Sequence, residues 1–193
     1  MKKILFLGER KSKIINYLKK KTNLKYFKVI DENLIKKNQY DLIICFRYKK
    51  IFSKKFVNLY KNKIINCHLS FLPWNRGSIP NFWSFFYDTP KGVTLHFIDK
   101  NIDTGKIIDQ RIVNFKLTKR STLKSTYNKL EKSLVDLLYI NLENIIYGKI
   151  KFFAQDTSGT YYGLKDFKNY KKILKKGWNT RVLKIENRGY EFF

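Results

Sequence analysis

Residues 41–46 read DLIICF, an unbroken apolar run after one aspartate. A run of this length and composition is typical of a strand that is covered on both faces, as in a parallel sheet. The surrounding sequence has the same texture, with strand-like runs at residues 3–7, 27–30 and 64–69 and helix-like stretches at residues 12–21 and 53–60. This alternation predicts an α/β protein with a Rossmann-like, mostly parallel sheet and helices on both faces.

The second half of the chain has a different texture. Residues 70–80 hold Pro73, Gly77 and Pro80, which predicts a loop. After it we expect a short aromatic helix at 81–87, strands at 92–98 and 106–115, and a long helix from Ser121 or Thr122 to about Gly148.

These elements predict one core domain over residues 1–148. Residues 149–193 are expected to be a C-terminal extension that packs on this core. We place a hairpin near Ser158 and Gly159, where turn residues follow each other, and a short helix before Gly177.

The chain is strongly basic. Its 193 residues include 41 Lys and Arg against 15 Asp and Glu, a formal net charge of +26. Lysine accounts for 34 of the basic residues, and Ala154 is the single alanine, so AT-rich codon usage explains much of the excess. An RNA-binding α/β protein is one alternative that this charge supports. The lysines are spread through every segment, however, and no nucleic-acid motif is present, so we expect no specific nucleic-acid partner.

Membrane and redox-linked classes are disfavoured. No apolar run approaches the ~18–20 residues that span a bilayer, and the N-terminal run before Gly8 is too short for a signal peptide. The two cysteines, Cys45 and Cys67, lack CxxC spacing, which argues against a zinc cluster and suits a reducing compartment. We expect a cytoplasmic protein without a bound metal or membrane partner.

The strand at residues 64–69 carries two polar side chains that could do chemistry. Asn66 and His68 share one face because strand side chains alternate, whereas Cys67 faces the other way and is expected to be structural. The polar pair lies at the carboxyl end of the strand, where open α/β sheets place ligands. A carboxylate from residues 99–105 could reach His68, whereas His96, in mid-strand, is expected to serve packing.

Three blocks of the chain resemble the formyltransferases that use N10-formyltetrahydrofolate. They are residues 65–73 with Arg76-Gly77, residues 92–94, and residues 99–105 with Asp103-Thr104-Gly105. The resemblance implies that residues 1–148 form a formyltransferase domain, that N10-formyltetrahydrofolate is the cosubstrate, and that Asn66, His68 and Asp103 are catalytic.

The sequences of residues 73–85 and 88–94, and of Gly177-Trp178-Asn179-Thr180, are similar to those of the sugar N-formyltransferase branch. That branch implies a nucleotide-linked amino deoxysugar, dTDP- or UDP-linked, as acceptor for surface polysaccharide biosynthesis, and it allows a homodimer. Methionyl-tRNA formyltransferases carry a further C-terminal barrel that the residues after Gly148 are too few to form. Phosphoribosylglycinamide formyltransferase remains an alternative, because it shares the catalytic trio.

The resemblance also implies two binding regions. The pterin is expected against the backbone at Arg47, Tyr48, Lys49, Lys50 and Ile51 and against Asn101 and Ile102. The sugar nucleotide is expected at Trp74, Asn75, Arg76, Gly77, Pro80, Asn81 and Trp83, with the guanidinium of Arg76 on the diphosphate.

Overall fold

The computed structural model describes residues 1–156 and 158–189. Its strands are β1 (Lys3–Gly8), β2 (Asn23–Phe27), β3 (Leu42–Phe46), β4 (Ile64–His68), β5 (Arg76–Gly77), β6 (Gly92–Phe97), β7 (Ile107–Ile112) and β8 (Tyr161–Tyr162). Its helices are α1 (Ser12–Lys21), α2 (Glu32–Asn38), α3 (Lys54–Leu59), α4 (Pro80–Phe86), α5 (Leu123–Tyr147) and α6 (Leu164–Tyr170). Three 3₁₀ turns follow α6, at Lys171–Ile173, Gly177–Asn179 and Val182–Lys184.

A six-stranded sheet with the order β2-β1-β3-β4-β6-β7 organises the fold. The pairs β1–β2, β1–β3 and β3–β4 are parallel. Every residue of β3 is buried, as are residues 4–8 of β1, so these strands are covered on both faces. The α/β architecture with a mostly parallel sheet is confirmed. In the described part of the chain, no helix has the length and apolar character that crossing a bilayer requires.

The chain forms two compact units. Unit one comprises Met1–His68, Leu95–Asp109 and Val135–Ala154. One cluster of its core joins side chains of β1, β3 and β4, such as Leu5, Ile43 and Ile64, to Ile35 of α2 and Phe56 of α3. Burying such a side chain contributes ~1.5–3 kcal/mol, which is why the apolar strands are the dominant signal in the first half of the sequence.

Unit two comprises Leu69–Thr94, Gln110–Leu134 and the described residues of Gln155–Phe193. Its core is aromatic and is built around four residues of α4, Phe82, Trp83, Phe85 and Phe86, all 0% exposed. The C-terminal residues complete this core, since Phe167, Val182 and Ile185 belong to the same cluster. The backbone N–H of Leu123 donates to Thr180 and that of Val182 donates to Ser121, which ties the tail to the start of α5.

Two elements of the first half differ from the sequence prediction. The second strand is Asn23–Phe27, not residues 27–30, and it is an edge strand in which only two of the five residues are partly covered. The sequence pattern does not predict helix α2, because Ile35 is its one buried residue and the helix has no periodic apolar face. Its start is set by Asp31, whose side chain accepts a hydrogen bond from the N–H of Asn33 at 2.8 Å.

The tail also differs. In place of a hairpin near Ser158 and Gly159, the described residues form the short strand β8, which pairs in parallel with β5. Gly159 is needed there because a Cβ atom would lie 2.4 Å from the carbonyl oxygen of Pro73. A short helix does precede Gly177, namely α6. The division of the chain at residue 148 stays a prediction.

Candidate active site

Strand β4 carries the polar pair out of the core. Ile64 and Ile65 are fully buried, Asn66 is half-buried, and His68 is 7% exposed at the last position of the strand. Asn66 lies beside Cys45 in the parallel register, so it points to the same face as the core cluster of unit one. The apolar start of β4 therefore fixes where its polar end projects.

The loop between β6 and β7 supplies the carboxylate. Asp99 accepts hydrogen bonds from the N–H of Asn101 (3.1 Å) and the hydroxyl of Thr104 (2.7 Å), so its side chain holds the loop together. Gly105 packs so tightly on β6 that a Cβ atom would lie 1.7 Å from the carbonyl oxygen of Phe97. Asp103 has a left-handed backbone, with φ of 53°, and it is the carboxylate that reaches His68.

Asn66, His68 and Asp103 are brought together as the sequence predicts. Oδ2 of Asp103 lies 3.6 Å from Nδ1 of His68. The amide nitrogen of Asn66 donates to Oδ1 of Asp103 at 3.3 Å. The carboxylate is 13% exposed, so its interactions with both partners take place largely away from bulk water.

His96 is a fourth member that the sequence interpretation missed. Its Nε2 lies 3.2 Å from Nδ2 of Asn66 and 3.5 Å from Oδ1 of Asp103, and its ring stands edge-on to that of His68. His96 therefore contacts the polar cluster in addition to packing in the strand. The sequence feature that could have indicated this role is the pair Thr94 and His96, two polar residues at alternate positions of a strand that is otherwise apolar and buried.

The tautomer of His96 follows from its other nitrogen. Nδ1 lies 2.8 Å from the carbonyl oxygen of Phe97, so it carries the proton and donates it to that oxygen. In the neutral ring Nε2 is then an acceptor, and the N–H of Asn66 can donate to it. His96 is 1% exposed, which keeps this arrangement dry.

Residues 47–51 follow β3. The guanidinium of Arg47 pairs with Glu9, and Tyr48 donates its hydroxyl to the carbonyl of Ile30 at 3.2 Å. Burial raises the pKa of Tyr48. The side chains of Arg47 and Tyr48 thus already have partners within the protein. The groups that remain available to a ligand in this segment are its backbone, the exposed Lys49 and Lys50, and Ile51, which is 81% exposed.

Asn101 and Ile102, next to Asp103, are also exposed. Backbone amides with exposed aliphatic side chains fit the planar, amide-like edge of a pterin. Across the described residues, no group of three or more His, Cys, Asp or Glu side chains could hold a metal ion.

In unit two, three residues predicted to bind substrate are internal. Asn75 is 0% exposed and donates to the hydroxyl of Thr89 at 2.7 Å. Asn81 donates to the carbonyl of Leu123 at 3.0 Å, and the indole N–H of Trp83 donates to Ser78 at 2.9 Å. Their polar groups stabilise the loop and helix α4, so we withdraw them as substrate contacts.

Trp74, Arg76, Gly77 and Pro80 are partly exposed. The guanidinium of Arg76 is held by the tail: Nε and Nη2 donate to Oε1 of Gln155 at 3.2 and 3.0 Å, and Nη2 also donates to the carbonyl of Asp156 at 3.2 Å.

Cys67 has the environment of a structural residue. Its register partner is Phe46, on the opposite face from Asn66, and it is 5% exposed. Burial raises the pKa of its thiol well above the ordinary value, so the reactive thiolate is disfavoured.

Comparison with known proteins gives the family of this chain. The formyl transferase family model matches residues 9–139. The formyltransferase PseJ from Anoxybacillus kamchatkensis, solved in complex with UDP-4,6-dideoxy-4-formamido-L-AltNAc and tetrahydrofolate, is 36% identical, with a TM-score of 0.90 over 97% of this chain and 99% of that one.

Two curated relatives are longer. The bifunctional polymyxin resistance protein ArnA of Wigglesworthia glossinidia brevipalpis is 31% identical over 96% of this chain and 28% of its own length. A methionyl-tRNA formyltransferase of Fusobacterium nucleatum is 31% identical over 80% of this chain and 50% of its own. The chain thus spans between about a quarter and half of these two proteins. The family model matches residues 9–139, and Asn66 and His68 of β4 lie beside Asp103 of the following loop, so the chain belongs to the formyl transferase family.

Proposed function

We propose that this protein transfers a formyl group from N10-formyltetrahydrofolate to the amine of a nucleotide-linked amino deoxysugar. The observation that carries formyl transfer is the cluster of Asn66, His68 and Asp103, which combines an amide donor with an imidazole–carboxylate pair. The likeness to PseJ, over nearly the whole of both chains, supports a sugar acceptor.

Asn66 has the chemistry to stabilise the transition state. When an amine adds to a formyl carbon, negative charge develops on the formyl oxygen. An amide N–H aimed at that oxygen is worth ~3–4 kcal/mol in such reactions. In the described structure the N–H groups of Asn66 face His96 and Asp103, so one of them must turn toward the substrate when it binds.

We assign to His68 the removal of a proton from the attacking amine. Because its Nδ1 faces Asp103, we assign proton removal from the attacking amine to Nε2. Asp103 stabilises the imidazolium that results, and it keeps the ring in the tautomer that leaves Nε2 as the base. The proton then passes to the nitrogen of the departing folate.

N10-formyltetrahydrofolate supplies the formyl group. For its pterin we assign the backbone of residues 47–51, which includes the exposed Ile51, together with the exposed residues Asn101 and Ile102, which precede Asp103 in sequence. For the acceptor we assign Trp74, Arg76, Gly77 and Pro80, because their surfaces are open and Arg76 brings a guanidinium.

The cellular setting is part of the proposal. A cytoplasmic enzyme that formylates nucleotide-linked sugars would serve surface polysaccharide biosynthesis, such as lipopolysaccharide, and would need no specific nucleic acid. A homodimer is compatible with this activity. The separation into a catalytic domain, residues 1–148, and a C-terminal extension is retained as a proposal.

The test is a panel of amines supplied with N10-formyltetrahydrofolate and analysed by mass spectrometry for the gain of one formyl group. UDP-linked 4-amino-4,6-dideoxy sugars are the first acceptors to include, with dTDP-linked 3-amino sugars beside them. We expect formylation of a sugar nucleotide by the wild type and loss of it in a His68→Asn variant. The assignment would be contradicted if the enzyme formylated another amine but none of the sugar nucleotides.

Two other acceptors belong in the same panel. Methionyl-tRNA is included because such enzymes are 31% identical to this chain, and glycinamide ribonucleotide because the catalytic trio alone does not choose the acceptor. A higher kcat/KM for either would replace the sugar. A salt titration of RNA binding tests the basic charge separately, since binding by lysines weakens steeply as salt rises.

A further inference from the structure

Residues 73–79, here called the acceptor loop, have a backbone that must be held in shape from outside. Asn75 and Ile79 both have left-handed backbones with φ of 58°, and Gly77 has φ of 92°. The left-handed conformation costs free energy in residues other than glycine, above all in β-branched residues such as isoleucine, and it persists where surrounding contacts impose it. The contacts that impose it on this loop therefore decide its shape.

Thr160 of the C-terminal tail bonds to three residues of the acceptor loop. Its backbone N–H donates to the carbonyl oxygen of Pro73 at 3.3 Å, and its own carbonyl oxygen accepts the N–H of Arg76 at 2.9 Å. Its hydroxyl oxygen Oγ1 accepts the N–H of Asn75 at 2.8 Å. One tail residue thus holds the left-handed Asn75 and a loop residue on each side of it.

The tail and the loop approach each other at two glycines. A Cβ atom at Gly159 would lie 2.4 Å from the carbonyl oxygen of Pro73, and one at Gly77 would lie 2.4 Å from the carbonyl oxygen of Tyr162. The ring of Tyr162 stacks on the buried Trp83, with centroids 4.3 Å apart. The tail is therefore fixed to the core of unit two, and it holds the loop from that position.

The hydroxyl of Thr160 is the part of this arrangement that a substitution can remove by itself. Its bonds to Pro73 and Arg76 are made by backbone atoms, which every side chain leaves in place. Asn75 is 0% exposed, so its N–H cannot turn to bulk water when the hydroxyl is removed. A buried donor that loses its acceptor destabilises the conformation in which it is buried.

We propose that Thr160 is a positioning residue for the acceptor. Its hydroxyl holds the N–H of Asn75 and so sets the loop conformation in which Trp74 and Arg76 meet the sugar nucleotide. The inference rests on the proposed function for the assignment of this loop to the acceptor. It gives the C-terminal tail a part in acceptor binding, through the loop and without contact between Thr160 and the reacting atoms.

Steady-state kinetics of Thr160→Val and Thr160→Ser test this role, with a UDP-linked 4-amino-4,6-dideoxy sugar and N10-formyltetrahydrofolate varied in turn. Valine keeps the shape of threonine and removes the hydroxyl. The KM for the sugar nucleotide should therefore rise about tenfold, while kcat and the KM for the folate stay within about twofold. Serine keeps the hydroxyl and should restore the KM for the sugar nucleotide.

Thr180→Val is the matched control. Thr180 is a buried threonine of the same tail, and its hydroxyl oxygen accepts the N–H of Lys176 at 3.3 Å. Its backbone bonds to Leu123 and Gly177, which lie outside the acceptor loop. This variant loses the same kind of hydrogen bond, so it should lower stability and leave the KM for the sugar nucleotide unchanged.

Hydrogen–deuterium exchange gives a readout that needs no turnover. In Thr160→Val the amide of Asn75 should exchange faster than in the wild type, because its acceptor is gone. The amide of Arg76 should keep its protection, since it donates to the backbone carbonyl of Thr160. If Thr160→Val does not fold, Thr160→Cys takes its place, because a thiol is a weak acceptor and should raise the KM for the sugar nucleotide as well.

Three outcomes would overturn the proposal: an unchanged KM for the sugar nucleotide in Thr160→Val, a rise that Thr160→Ser does not reverse, or an equal rise in Thr180→Val. Failure of the proposed function gives a different result. The wild type would then formylate no sugar nucleotide, while the exchange of the Asn75 amide would still respond to Thr160→Val.

Discussion

The amide nitrogen of Asn66 lies 3.2 Å from Nε2 of His96, a buried ring whose other nitrogen is held by the carbonyl of Phe97. This relationship orients the one side chain assigned to the developing oxyanion. It also means that His96 must be neutral at Nε2 to accept the N–H of Asn66. We therefore expect His96 to be a positioning residue that acts through Asn66.

Replacing His96 separates positioning from packing. His96→Leu keeps much of the volume and removes the acceptor, so we expect kcat to fall about tenfold to a hundredfold with little change in the KM for folate. His96→Gln keeps an acceptor at the end of its side chain and should recover part of the loss. Steady-state kinetics of the three proteins is the measurement. Equal activity of the Leu and Gln variants would assign His96 to packing alone.

The catalytic cluster is tested at its charged members. His68→Asn and Asp103→Asn should each lower kcat by two or more orders of magnitude, because both groups act on charge that develops in the transition state. Asn also tolerates the left-handed backbone at position 103, so the fold should survive. Circular dichroism and single-turnover kinetics give the two readouts. Turnover close to the wild type in either variant would rule out the assigned mechanism.

Cys67 should play no chemical part. Cys67→Ser should keep wild-type kcat and lose about 1–3 kcal/mol of stability, because a hydroxyl would be buried without a designed partner. Activity assays and urea unfolding would show both effects. A folded but inactive Cys67→Ser protein would restore a thiol mechanism.

The two buried thiols also predict a pH dependence of stability. Burial raises the pKa of Cys45 and of Cys67 above their ordinary values, so the fold favours the neutral thiol. This stability is fully present below the thiol pKa of the unfolded chain, ~8.5, and is lost as pH rises above it, by up to ~1.4 kcal/mol per pH unit for each thiol. Urea unfolding between pH 7 and 10 should show the decline. The slope should become shallower in a Cys45→Ala/Cys67→Ala protein, and an unchanged slope would show that the thiols do not cause it.

Arg76 should act on the acceptor and not on the donor. Arg76→Ala removes a charge-assisted contact worth roughly 1.5–3 kcal/mol, so the KM for the sugar nucleotide should rise at least tenfold. The KM for N10-formyltetrahydrofolate should stay within about twofold. Kinetics with each substrate varied in turn is the measurement, and unchanged sugar kinetics would place the phosphates elsewhere, with the lysines of residues 165–176 the next residues to replace.

Features that depend on neighbouring residues could be predicted from the sequence, whereas contacts between residues distant in the chain could not. The alternation of Ile64 to His68 predicted both the strand and the common face of Asn66 and His68. His96 could not be assigned in the same way, because its partners are 30 residues away or in the following loop and meet only when the strands pair. The interior positions of Asn75 and Trp83 were likewise hidden, since their partners, Thr89 and the rings of the tail, are brought near by the fold.

A group of ion pairs lies at one end of the main sheet. At the carboxyl ends of β1 and β3, where the strand order reverses and Rossmann sheets commonly take a nucleotide phosphate, Glu9 pairs with Lys11 at 2.6 Å and with Arg47. The side chain of Lys11 lowers the pKa of Glu9, which keeps the carboxylate charged. A phosphate that bound Lys11 and Arg47 would have to compete with the carboxylate of Glu9 for them. Glu9 therefore occupies two cations that a dinucleotide phosphate could otherwise use, beside a first turn that has no glycine-rich sequence.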